Sequence, residues 1–119
     1  MSSGSEKRQH HRFQARLDVK VVSGERVAPG VQVVTADIGV GGTRCIASAP
    51  FDSNVRLHLS ITLVGGELHE PATISAEAVV LRCTPRPQPH HGFPYELAIQ
   101  FMRLEPREKR ALQGYLNSL

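Results

Sequence analysis

The chain has no tryptophan, two cysteines, two methionines and only 5% aromatic residues. Cys45 and Cys83 are far apart and form no CxxC or Cys/His cluster, so a zinc ribbon and a redox dithiol are both excluded by spacing. Each lies in an apolar stretch, where a buried free thiol is expected. The six histidines contain no HExxH, and the adjacent pairs His10–His11 and His90–His91 would point apart on a strand, so no metal site is expected. Glycine-rich sequence is present, but without the Lys-Ser/Thr of a phosphate-binding loop. No Ser–His–Asp order, activated cysteine or carboxylate pair appears either, so no enzyme, no catalytic residue and no cofactor are expected. No apolar run approaches a membrane span, and the opening MSSGSEK lacks the apolar core of a signal peptide. A cytoplasmic protein without membrane insertion follows as the expectation. Fourteen basic residues against eleven acidic ones give a net charge of +3, too weak a field to favour nucleic acid. Phe13, Tyr95 and Phe101 fall on apolar faces and leave few platforms for stacking bases, so nucleic acid is disfavoured as a partner.

What is present is alternation. Phe13, Ala15, Leu17, Val19 and Val21 alternate with polar residues, which predicts one half-buried strand. VQVVTAD and TRCIAS read as strands on either side of IGVGG. VRLHLSITL, residues 55–63, is the cleanest strand, and VGGEL after it reads as a hairpin tip. Residues 72–83 form a further strand, TPRPQPHHGFP reads as a proline-rich loop, and YELAIQF alternates again with Tyr95, Leu97, Ile99 and Phe101 inward. The period then changes to three and four at Leu112, Tyr115, Leu116 and Leu119, predicting an amphipathic helix over about 106–118 with Pro106 in its first turn. One domain of 119 residues is expected: a mainly β fold, a small six-stranded antiparallel β-barrel with a C-terminal helix, preceded by a flexible tail over 1–7.

Two short patterns carry chemistry. KRQHHRF places Arg8 and Arg12 four apart, and each guanidinium is a planar fork suited to phosphate oxygens and to the O6/N7 edge of guanine. DIGVGG, residues 37–42, offers a carboxylate that accepts from the N1 and N2 donors of guanine, beside glycines that permit close backbone approach. Taken singly, a solvated basic arm and a glycine-rich bulge explain them equally well.

In this order and spacing, Arg8-Gln9-His10-His11-Arg12 followed by Asp37-Ile38-Gly39-Val40-Gly41-Gly42 resembles the RxxxR and [D/N]xSxxG motifs of the PilZ domain family, receptors for cyclic di-GMP. The resemblance implies that Arg8 and Arg12 bind guanine edges and phosphates, that Asp37 holds a guanine and orients an arginine, and that Gly42 admits the ligand. Gly39 stands where the family usually has Ser, so one ligand hydrogen bond is missing. Lys7 occupies a position that in the family influences how many nucleotides bind, and Arg44 is placed to face the site or to point outward on its strand. The implied function is a cyclic di-GMP sensor that changes shape, by ordering roughly residues 5–12, and signals to a protein effector. The alternative is a PilZ-fold adaptor that has lost nucleotide binding and works through protein contacts alone.

Overall fold

The computed structural model describes residues 12–90 and 92–119, apart from the side chains of 88–90. Among these residues seven strands and one helix follow in order: β1 (Phe13–Gln14), β2 (Asp18–Gly24), β3 (Val33–Ile38), β4 (Gly42–Ala47), β5 (Arg56–Leu63), β6 (Ala72–His90), β7 (Phe93–Arg103) and α1 (Pro106–Asn117). All pairings are antiparallel, and the sheet order β3-β2-β5-β6-β7-β4 returns to β3, closing a six-stranded barrel with β1 added on β3. Closure leaves every barrel strand with two neighbours and so removes free sheet edges.

The core is built by the inward set of each alternating strand. Leu17, Val19, Val33, Leu59, Ile61, Ile74, Val80, Leu97 and Ile99 are all buried, and Cys45 lies among them. The helix adds Leu112, Tyr115 and Leu116, each contributing about 1.5–3 kcal/mol by leaving water. Glu108 of α1 accepts from the Ser75 backbone N–H at 2.9 Å, and the Tyr115 hydroxyl donates to the Val64 carbonyl at 2.7 Å. These bonds fix the helix at both ends.

The structure differs from the sequence reading in two places. The strand expected from Phe13 is broken between Gln14 and Asp18. The buried Thr35 hydroxyl accepts from the Leu17 N–H at 2.9 Å and donates to the Ala15 carbonyl, taking the place of ladder bonds there. The proline-rich segment, expected as a loop, belongs to β6, which pairs with β7 as far as Pro85↔Tyr95 and His90↔Phe93. Prolines at 85, 87 and 89 are two apart, so the missing donors all lie on one edge of the strand. Pairing with β5 has already ended at Val79, and an edge free of a partner tolerates proline.

Candidate functional site

Asp37 reaches the outside of the barrel because β3 carries a bulge. Thr35 pairs with Cys45 and Asp37 with Arg44, leaving Ala36 as an extra residue. In a regular strand Thr35 and Asp37 would share a face; the extra residue lets both Thr35 and Ile38 point inward while Asp37 points out. Thr43, fully buried, donates its hydroxyl to the Asp37 carbonyl at 2.7 Å and steadies the backbone beneath the carboxylate.

Arg12 meets this carboxylate through β1. Gln14 stands opposite Asp37, so Arg12, two residues earlier, is its diagonal neighbour. Nε and Nη2 of Arg12 lie 2.9 and 2.8 Å from Asp37 Oδ1. The second arginine of the RxxxR pattern is therefore paired with the first residue of the glycine motif. Lys7 and Arg8 lie outside the described residues.

Arg44, directly opposite Asp37 on β4, donates from Nε to Oδ2 at 2.8 Å, and its Nη1 lies 3.5 Å from Glu96 Oε2 on β7. Asp37 is the sheltered member, with 15% of its side chain exposed, against 48% for Arg12 and 44% for Arg44. The Asp37 hydrogen bond holds the Arg44 guanidinium above its ordinary pKa, with the nearby charges of Asp37 and Glu96 adding to it against the cost of burial. Arg12 is half-exposed. The cluster sets two cationic forks around one sheltered carboxylate on the outer face of the barrel.

The glycine loop sits beside the cluster. The Gly39 N–H donates to the Gly42 carbonyl at 2.9 Å, and the Phe101 N–H donates to the Gly41 carbonyl at 3.0 Å, tying the loop to β7. A Cβ at Gly42 would run into the Ile99 carbonyl oxygen, so this glycine is required by the approach of β7 to β4. Gly39 is buried, and its φ is not among those in the left-handed region. Sequence reasoning missed Glu96 and Thr43. Thr43 carries no motif signal, and the only hint of Glu96 was its polar place in YELAIQF.

Among the described residues no group of three or more His, Cys, Asp or Glu is placed to hold a metal ion, and no helix is long and apolar enough to cross a membrane.

Comparison with known proteins gives the arrangement a context. Curated protein sequences yield no match. Among solved structures, the chain is similar to the Inhibitor of motility (MotI/DgrA) of Bacillus subtilis, with 25% identity and a TM-score of 0.72 over 92% of this chain. That match takes in 50% of the MotI chain, so this chain spans half the length of that relative. It is also similar to the PilZ domain of YcgR from Escherichia coli, a structure with c-di-GMP, at 14% identity and a TM-score of 0.69, covering 95% of this chain and 91% of that one. At that identity the likeness speaks for the fold. The family model for the PilZ domain matches residues 6–118, nearly the whole sequence, and the chain belongs to the PilZ domain family.

Proposed function

We propose that this domain is a receptor for cyclic di-GMP, that the nucleotide is taken on the outer face of the barrel where Arg12, Asp37 and the 39–42 loop meet, and that a protein effector reads the bound state. The observation that carries the reading is the Arg12–Asp37 pair, which joins the two motifs in one place. Asp37 accepts from the N1 and N2 donors of a guanine. Arg12, and Arg8 by its place in the motif, present forks to a guanine O6/N7 edge or to phosphate. Lys7 adds positive charge toward the phosphates. The c-di-GMP held by the YcgR domain supports this ligand class, and the name of MotI suggests motility as one process such a domain serves. The protein acts as a receptor, not an enzyme, and works in the cytoplasm.

Gly39 favours a second reading, an adaptor that no longer binds nucleotide, since a serine hydroxyl is absent from the loop. An ordinary hydrogen bond contributes about 0.5–1.5 kcal/mol, so its loss weakens binding about tenfold without abolishing it. Calorimetric titration with cyclic di-GMP, with GTP and the linear dinucleotide as controls, separates the two. Binding in the micromolar range, about 8 kcal/mol, is expected for the cyclic ligand alone. Arg12→Ala should lose about 1–3 kcal/mol, the worth of a bidentate base contact. Equal affinity of parent and variant overturns the site, and no binding by the parent leaves the adaptor.

A further inference from the structure

The Asp37 carboxylate has a guanidinium on each oxygen: Arg12 on Oδ1 and Arg44 on Oδ2. The two arrive from opposite flanks, Arg12 through β1 and Arg44 from β4. Arg44 is in turn held by Glu96. Ala98 stands opposite Arg44 on β7, so Glu96, two residues before it, is the diagonal neighbour that a long side chain reaches. Four charges thus run in alternating order, Arg12–Asp37–Arg44–Glu96, over the outer face of β1, β3, β4 and β7.

The two arginines are not equivalent. Among the described residues Arg12 pairs with one carboxylate, and about half of its side chain is exposed. Arg44 lies between two carboxylates, and its charge is largely answered within the protein. The terminal torsion of an aspartate is broad, so a carboxylate gripped at one oxygen can still turn. Gripped at both, its plane is set. An ionised carboxylate has about four acceptor positions; Arg12 takes two at Oδ1 and Arg44 one at Oδ2, so the N1 and N2 donors of a guanine would share the one left on Oδ2.

We propose that Arg44 and Glu96 are positioning residues for nucleotide recognition: Glu96 seats Arg44, Arg44 fixes Oδ2 of Asp37, and the carboxylate is thereby oriented toward the guanine edge. Neither residue touches the nucleotide. The proposal rests on the cyclic di-GMP reading above.

A double-mutant cycle read by calorimetry tests it. Arg44→Ala should weaken cyclic di-GMP about tenfold in the parent but less than about twofold in an Asp37→Asn background, because residues acting through one another are not additive. Arg44→Lys should recover part of the loss. Glu96→Gln should cost about two- to fivefold, in keeping with a partly exposed ion pair, and nothing further once Arg44 is alanine. Nitrogen-15 spectra of the ligand-free protein check the first step, the seating of Arg44 by Glu96. The Arg44 Nε–H resonance should shift in Glu96→Gln while the melting temperature stays within a degree or two of the parent. Equal, additive losses in both backgrounds would place Arg44 on the nucleotide and overturn the proposal. An unshifted Arg44 resonance in Glu96→Gln also overturns it. If the parent binds and Arg12→Ala weakens it while the Arg44 and Glu96 variants bind as the parent does, the proposal alone falls. If the parent does not bind, the receptor reading falls and takes the proposal with it.

Discussion

The links β3–β4 and β5–β6 both carry paired glycines, Gly41–Gly42 in one and Gly65–Gly66 in the other, and use them for different physical reasons. Gly65 and Gly66 have φ of 90° and 59°, conformations that a side chain resists, in a link open to solvent. Gly41 and Gly42 are not among the left-handed residues. There the demand is for closeness, since the loop is bonded to β7 and Gly42 packs against the Ile99 carbonyl. One pair turns the chain, and the other lets three strands come together beneath the charged cluster. The same letters therefore mark a turn in one place and a foundation in the other.

The largest expected effect tests how tightly the β3–β4 region is closed. Burial pushes the Cys45 thiol up to about 12, from an ordinary value of 9.0. At neutral pH its thiolate fraction should be about a thousandfold below that of an unperturbed thiol, and its reaction with a thiol reagent correspondingly slow. Because the folded protein holds this proton more tightly, the contribution to stability is present below pH 9 and lost as the pH rises toward 12. Denaturant titrations across that range should show the decline, and Cys45→Ala should reduce it. Rapid native-state labelling of Cys45 would mean that the region opens readily.

Next in size is Gly42→Ala. The added methyl meets backbone rather than a movable side chain, and a loss of about 1–3 kcal/mol in chemical denaturation is expected, as for other overpacked sites. Gly66→Ala should cost about 1–2 kcal/mol through the left-handed backbone, with further crowding from the Ser118 side chain. Gly65→Ala, with open space around it, should cost about 1 kcal/mol or slightly more from conformation alone. If Gly42→Ala proved milder than Gly65→Ala, the distinction between closeness and turning would fail. The smallest effect on stability is expected from Gly39→Ser, below that of Gly42→Ala, because the backbone there is not left-handed and the cost at this buried position comes from packing alone. The same variant should tighten cyclic di-GMP by up to about tenfold, the value of one hydrogen bond. Calorimetry and thermal denaturation of one preparation measure both.

The barrel was legible because alternation marks inward faces directly: Leu57, Leu59, Ile61 and Leu63 are buried as their spacing requires. An arginine beside Asp37 was legible only through the resemblance to the PilZ motifs, and the structure shows Arg12 paired with it. What escaped were the irregularities that aim side chains. The bulge at Ala36 depends on how β3 pairs with β4, a fact of register that no local pattern carries. Thr35 breaks the first strand through a hydroxyl contributed 18 residues away in sequence. The proline-rich ribbon reads as a loop because each proline removes a ladder donor, yet prolines two apart leave one edge of the strand intact. Glu96 was invisible as a site residue for a related reason: its partner is diagonal and on a strand distant in the chain.

That last feature bears on how the protein is made. The contact between Arg44 and Glu96 spans 52 positions of sequence and crosses the β4–β7 seam that completes the ring. During synthesis Asp37 and Arg44 leave the ribosome well before Glu96 does, and the seam has to await the final strand. Contacts of such separation form slowly, since a long loop must close before any gain is returned. A nascent chain should thus hold Arg12, Asp37 and Arg44 for some time without the completed Arg12–Asp37–Arg44–Glu96 cluster. Ligand binding would then select molecules whose ring has closed, and cyclic di-GMP present during refolding should raise the apparent stability of the closed form by mass action.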